Sequence, residues 1–317
     1  MPSAAAGIFT LYNIVMAIII AGPTASGKTD LALELARVAG GEIISVDSRQ
    51  VYRELSFGTA KPEGTYRGSI YTVKDIPYHM VNFLPPDQVY NTGLFVDAAK
   101  KIEADILARK KIPVFAGGTG MWLQAYFAGM DKLPPADAAL RTKFSAMTKA
   151  RLYQKLAEVD AESAAAIPPG NIQRVMRALE IFELTGTPAS KLRTGKFNTD
   201  LGDNFFVYLD LEKDELNSRI EKRTNLIFDG MIDETHVLLR RGFTPETPAL
   251  KSLGYPQVID FINGKISRAA ALGNIIILTR QYAKRQRTWF ARYKNKIVFN
   301  GPVSAERVWG DFLKWKK

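Results

Sequence analysis

The stretch "IIIAGPTASGKTD", Ile18 to Asp30, decides the fold. The apolar run Ile14 to Ala21 is continuous and rich in β-branched residues, the composition of a buried parallel strand, and Gly22 ends it. Gly22-Pro23-Thr24-Ala25-Ser26-Gly27-Lys28-Thr29 then matches G-x-x-x-x-G-K-[ST]. Lys28 to Val38 reads as a helix, with Leu31, Leu33, Leu35 and Ala36 on its apolar side. Strand, glycine-rich turn and helix N-terminus together make a phosphate cradle, a P-loop. Backbone N–H groups turn inward, the helix end adds partial positive charge, Lys28 adds a full one, and the Thr29 hydroxyl can hold Mg²⁺. Such a motif is also the ATP-binding, nucleotide-binding signature, so it leaves open whose phosphate is held.

The same plan recurs along the chain. "GEIISVD" is a short strand ending at Asp47; Ile112 to Ala116 is another, followed by a Gly117-Gly118 turn and a helix from about Met121. Asn204 to Glu212 and "NKIVFN" supply two more. Strands alternating with helices predict an open parallel α/β sheet of P-loop NTPase-like type. Ligands of such sheets bind outside the carboxyl ends of the strands. The P-loop, Asp47-Ser48-Arg49-Gln50 and Gly117-Gly118-Thr119 should therefore line one crevice, with Asp47 facing the phosphate loop. The other reading of Asp47 is a turn or helix N-cap aspartate. The strand at 112–116 ends in Gly-Gly-Thr, without the aspartate of a hydrolytic P-loop ATPase, and Asp210, inside the strand at 204–212, is a doubtful substitute. The loop can thus hold a phosphate that is not hydrolysed.

Residues 131–202 differ: they carry much charge and no good strand. Asn171 caps a helix with Ile172, Val175, Met176, Leu179 and Phe182 at helical spacing, ended by Gly186; Leu152, Leu156 and Val159 mark another. The chain is read as an α/β core of residues 16–130 and 203–317 with an all-helical insertion at 131–202. Residues 1–15 read as a disordered extension, with Met16 an alternative start.

Over 317 residues, 43 Lys and Arg stand against 32 Asp and Glu, a net charge of +11. That excess serves solubility or a polyanionic partner. The absence of cysteine excludes disulfides, thiolate zinc sites and a Cys nucleophile, and fits a reducing, cytoplasmic compartment. With only His79 and His236, a His-rich metal site or a Ser-His-Asp triad has little material. The run Ile14–Ala21 is too short to span a membrane, and no Lys or Arg precedes it as a signal peptide requires. No membrane partner is expected. Arg174 and Arg177 are read onto the helix face opposite the apolar stripe. "TRQYAKRQRTWFARYKNK" interleaves basic residues with Tyr282, Trp289, Phe290 and Tyr293, which suits RNA or else a solvated helix with its aromatics in the core. Arg219 and Arg223, four apart, can clamp a diphosphate or form salt bridges with Glu215 and Glu221.

Taken together, "GPTASGKT", "SVDSRQVYRELSFGTAKP", "IPYH", "FAGGTGMWLQA", "NIQRVMRALEIFELTG", "SRIEKR", "LGYPQ" and "TRQYAKRQRTWF" resemble the tRNA dimethylallyltransferases, or isopentenyl-diphosphate:tRNA transferases. The segments run in family order from about residue 17 to 293, and the second and last are the most specific. The resemblance implies transfer of a dimethylallyl group from dimethylallyl diphosphate to N6 of the adenosine 3′ of a tRNA anticodon. It implies Asp47 as general base, Thr29 serving Mg²⁺, and Arg223 with Lys28 on the diphosphate. It places tRNA contacts at Asp47, Ser48, Arg49, Gln50, Thr119 and Arg141, at Gln173, Arg174, Val175, Met176 and Arg177, and at Lys251, Ser252, Leu253, Gly254, Tyr255 and Gln257. It makes the insertion the part that grips the anticodon stem-loop; the enzyme is expected to be a monomer. Tyr78, Pro256 and Ala291 depart from the family pattern. Two rivals are a P-loop small-molecule kinase, which gives the basic C-terminal helix no role, and an RNA-binding nucleotide switch, which leaves Asp47 and Arg223 without one.

Overall fold

The structure, a computed structural model, describes residues 17–131, 133–193 and 198–316. The extension expected at 1–15 and the alternative start at Met16 lie outside them. The described chain divides into two compact units, one running to Ala128 and resuming at Thr199, the other spanning Gly129–Asn198.

The first unit begins β1 (Ile18–Ala21), α1 (Lys28–Ala39), β2 (Glu42–Val46), β3 (Thr65–Arg67), β4 (Ile70–Val73), β5 (Ile76–His79), α2 (Thr92–Ala108), β6 (Pro113–Gly117) and α3 (Gly120–Leu123). A π-helical turn, Gln124–Ala128, follows α3. The second unit holds α4 (Ala138–Ser145), α5 (Lys149–Val159), α6 (Ala161–Ala166), α7 (Ile172–Thr185) and α8 (Ala189–Leu192). The first unit then resumes with β7 (Phe205–Asp210), α9 (Lys213–Arg240), α10 (Tyr255–Ile262), α11 (Arg268–Phe290), β8 (Ile297–Asn300) and α12 (Ala305–Trp315).

Eight strands form one sheet in the order β3-β4-β5-β2-β6-β1-β7-β8. Six of them, from β5 to β8, pair in parallel; β3, β4 and β5 pair antiparallel at one edge. The sequence reading missed β3, β4 and β5: they are three or four residues long, too short for a period to stand out, and β3 is exposed throughout. The central strands are buried on both faces, which is why they read as unbroken apolar runs. Ile18, Ile20, Val114 and Val207 pack with Leu31 and Leu35 of α1 and Phe312 of α12. Ile19, Phe115 and Phe206 alternate with them in register, so their side chains emerge from the other face.

Register fixes where the chemistry sits. Ala21 pairs with Gly117 and with Tyr208, and Val46 pairs with Gly117. The next residues, Gly22, Asp47 and Gly118, therefore leave the sheet side by side. At the opposite end of β2, buried Glu42 accepts from Arg109 and bonds His79 Nε2 at 2.8 Å. Burial alone would raise the Glu42 carboxyl, but Arg109 and His79 hold it down at about 2.

In the second unit, Asn171 caps α7 by accepting from Arg174 N, and Gly186 ends it at φ 66°. Its core is Phe144, Leu152, Leu156, Val175, Leu179 and Ile181 with their neighbours. Among the described residues, no helix is long and apolar enough to cross a membrane.

Candidate active site

The loop between β1 and α1 is shaped by its glycines. A Cβ on Gly22 would run into the Leu209 carbonyl and crowd Ser26 Oγ. Gly27 sits at φ 91°, a conformation side chains resist. The turn opens a cavity of about 320 Å³ lined by Thr24, Ala25, Gly27, Lys28 and Thr29, by Asp47 and Gln50, by Gly117 and Gly118, and by Arg219 and Arg223 of α9. All three sequence segments expected in one crevice reach this cavity. Thr119 of the third segment does not line it; its hydroxyl accepts from Ser48 N at 3.1 Å and ties two of the turns together.

The cavity is rich in buried positive charge. Burial pulls the Lys28 ammonium down to about 8, Asp47 works against the fall, and Arg223 adds to it. The amine donates to Pro23 O at 2.7 Å. Arg223 is likewise lowered by burial, with Asp47 opposing. It donates to Thr24 Oγ1 at 2.8 Å, while its Nε is buried without a hydrogen-bond partner. Ser26 Oγ, in the same loop, is also buried and unpartnered. Asp47 realises both of its sequence readings. Oδ1 accepts from Arg49 N at 2.8 Å and Gln50 N at 3.3 Å, as a turn aspartate does, and the side chain still lines the cavity. Arg219 and Arg223 split the two readings of their pair. Arg219 bridges to Glu215 at 2.7 Å, whereas Arg223 turns to the glycine-rich loop. Glu221 pairs with Arg280 instead.

Three wall residues were not named for the site, although they lie in segments that carry the resemblance. Thr59, Ala60 and Tyr78 line the cavity, and burial, then Asp47, raises the Tyr78 phenol. Gln50 donates to Thr59 O and Ala60 O. The segment leading to Thr59 is held by Glu234 of α9, whose carboxylate accepts from Ser56 N (2.7 Å), Phe57 N (3.1 Å), Gly58 N (3.0 Å) and the Tyr255 hydroxyl. From α11, Gln286 reaches Thr24 N and Gly118 O. These are tertiary contacts between segments about 180 and 260 residues apart in sequence, beyond any local pattern. Asp210, the last residue of β7, is paired with Arg287 at 2.7 Å and does not line the cavity.

The residues expected at tRNA divide by burial. Arg49, Gln173, Arg174 and Lys251 are exposed, Lys251 beside Glu246; Ser48, Leu253 and Gln257 are half-buried. Val175 and Met176 are core residues of the second unit, so their side chains face its interior and not a partner. The apolar stripe of α7 is wider than its spacing suggested. Arg177, expected opposite that stripe, instead lies against buried Glu180 and donates to Pro134 O at 2.6 Å. Arg141 bonds the same Glu180. Ser252, Gly254 and Tyr255 are buried, and Tyr255 is spent on Glu234. In α11, Phe290 and Tyr293 just beyond it are core, while Lys284 and Arg285 are exposed.

Fold and site together define an α/β protein, its sheet mostly parallel, with a cavity at the strands' carboxyl ends that gathers Lys28, Arg219 and Arg223 around Asp47. The family model "IPP transferase" matches residues 50–293, and "Isopentenyl transferase" matches residues 15–67. The chain belongs to the IPP transferase family. The tRNA dimethylallyltransferase of Elusimicrobium minutum is 54% identical over 95% of this chain and all of its own length. The tRNA delta(2)-isopentenylpyrophosphate transferase structure of Staphylococcus epidermidis is 31% identical, with a TM-score of 0.66, covering 95% of this chain and 98% of its own. A eukaryotic dimethylallyltransferase structure, 23% identical with a TM-score of 0.73, covers 95% of this chain and 80% of its own and shares the fold.

Proposed function

We propose that this chain transfers a dimethylallyl group from dimethylallyl diphosphate to N6 of the adenosine 3′ of the anticodon in tRNA, releasing diphosphate. One observation carries the reading: a cavity that collects the buried cations Lys28 and Arg223, with Asp47 the carboxylate acting on both and Asp30 exposed at its wall. We read Gly22–Thr29 as a P-loop and the first unit as a P-loop NTPase-like core. Its diphosphate is that of the prenyl donor.

The chemistry follows from these residues. N6 attacks C1 of the dimethylallyl group; the C–N bond forms, the C1–O bond breaks, and its electron pair leaves with the diphosphate. The attacking nitrogen becomes cationic and its proton acidic, so an ordinary carboxylate, Asp47, suffices as base. Lys28, Arg223 and the loop amides receive the charge that gathers on the diphosphate. Among the described residues no cluster of three His, Cys, Asp or Glu could hold a metal. That donor set fits Mg²⁺ held by substrate phosphates plus the Thr29 hydroxyl, which lines the cavity. When bound, Mg²⁺ would add further charge neutralisation to the leaving group. The second unit, with exposed Gln173 and Arg174, is assigned to the anticodon stem-loop. The target base must leave its stack, which suits a loop nucleotide.

The deciding experiment is transfer of labelled dimethylallyl to unmodified tRNA with and without millimolar ATP. The expected result is transfer that ATP leaves nearly unchanged, with no ADP formed. ADP released in step with product would replace this reading with the kinase.

A further inference from the structure

Gln286 stands closer to the phosphate loop than its place in a basic, aromatic helix would suggest. It is buried, and its amide is used at both ends: Oε1 accepts from Thr24 N at 2.8 Å, and Nε2 donates to Gly118 O at 3.0 Å. The orientation of the amide is fixed by chemistry, because a backbone N–H only donates and a carbonyl only accepts. A Cβ on Gly118 would come within 2.1 Å of Nε2, so this contact needs glycine there. One turn further along α11, Trp289 packs on Gly120, where a Cβ would strike its indole. Gln286 and Trp289, three apart on one helix face, thus grip the turn after β6. Thr24 is clasped from two helices at once, its N–H by Gln286 of α11 and its hydroxyl by Arg223 of α9.

We propose that Gln286 is a positioning residue for diphosphate binding: its amide fixes the spacing between the glycine-rich loop and the Gly118 turn, and so the aim of the loop's N–H groups. This rests on the phosphate-binding reading of the loop but not on the identity of the group transferred. Two variants separate positioning from mere packing. Gln286→Leu keeps the bulk and deserts both backbone groups, the buried Gly118 carbonyl and the half-buried Thr24 N–H. Gln286→Glu is conditional. Protonated, it reproduces the amide, accepting from Thr24 N and donating to Gly118 O. Ionised, it sets a carboxylate against the Gly118 carbonyl and beside the phosphate site. The other ionisable groups of the region, Lys28, Asp30, Asp47, Tyr78, Arg219 and Arg223 in the cavity, Tyr282 of α11 and the Arg287–Asp210 pair next to Gln286, are common to variant and wild type. The ratio of their rates therefore isolates position 286.

The test has two readouts. Gln286→Leu should lose about 10²-fold in kcat/KM for prenyl transfer, the scale of a displaced site, and bind inorganic diphosphate about tenfold more weakly. For Gln286→Glu, kcat/KM relative to wild type should fall about tenfold between about pH 5.5 and about pH 8.5, as the introduced carboxyl ionises. Wild-type diphosphate affinity in Gln286→Leu, or a pH-independent ratio for Gln286→Glu, would overturn the proposal. Should Gln286→Leu fail to fold, the pH series decides. Should the wild-type protein transfer no prenyl group, the inorganic diphosphate titrations of all three proteins, run over the same pH range, decide in its place.

Discussion

Both units bury charge, with opposite results. In the first, Lys28 and Arg223 share one carboxylate, Asp47; burial drags both cations below their ordinary pKa, and Arg223 Nε has no partner. In the second, Glu180 is fully buried, yet it accepts from Arg141 Nε at 2.9 Å, from Arg177, and from Asp137 N at 2.8 Å. Burial opposes its ionisation, and these partners outweigh burial, so its carboxyl stays below the usual range. A closed cluster is architecture. An open one, with cations left over, keeps a standing demand for an anion from outside. The difference separates a site from a strut without any knowledge of the ligand.

The sharpest way to break the comparison is at Asp47, the carboxylate of the open cluster that acts on both buried cations. Asp47→Asn should retain tRNA and diphosphate binding while slowing the chemical step by about 10²–10⁴-fold. Single-turnover kinetics would measure it, and near-normal turnover would remove Asp47 from the mechanism. In the closed cluster the effect should fall on stability instead. Glu180→Ala strands two guanidinium groups and an N–H; because Arg141 is half exposed, the cost is about 2–4 kcal/mol, below that of a fully buried network. Denaturant unfolding followed by a probe in residues 129–198 would show it.

What could be read from the sequence followed distance along the chain. The cradle, the buried parallel strands and the capped helix at 172–185 are local, each declared within a dozen or so residues by a glycine, an apolar run or a cap. Asp47 and the Gly117-Gly118 turn could be placed because parallel register carries each strand's end to the same edge. Gln286, Glu234 and the pairing of Arg177 could not. An arginine three residues before a glutamate looks alike whether the glutamate is buried or solvated, and only packing from α4 and the Pro134 segment decides.

A smaller effect tests whether Lys28 is as underpaired as the comparison says. With its pKa at about 8, the free enzyme loses that charge as pH rises past 8, so kcat/KM for the prenyl donor should decline about tenfold per pH unit above it. The sign is set by burial: a lysine at its ordinary pKa would stay charged until past pH 10. Lys28→Arg should be slower throughout and lack this limb. A wild-type profile flat to pH 10 would mean that Lys28 is better compensated than its surroundings suggest.

The smallest effect lies in the salt dependence of tRNA binding, where the two arginines of α7 should part company. By sequence they look equivalent, three apart on one helix. In the structure Arg174 is exposed, whereas Arg177 is committed to Glu180 and Pro134 O. A side chain that neutralises an RNA phosphate releases counterions, and each such contact adds about −0.7 to −0.9 to the slope of log affinity against log salt. Arg174→Ala should therefore flatten the slope by about one contact's worth with stability unchanged. Arg177→Ala should leave the slope nearly alone and lower the stability of the second unit, because it opens the cluster around Glu180. Titrations over a salt series, paired with melting curves, give both numbers for both variants. Equal slope changes would mean that Arg177 exchanges Glu180 for a phosphate when RNA binds, and the closed cluster would then be a site after all.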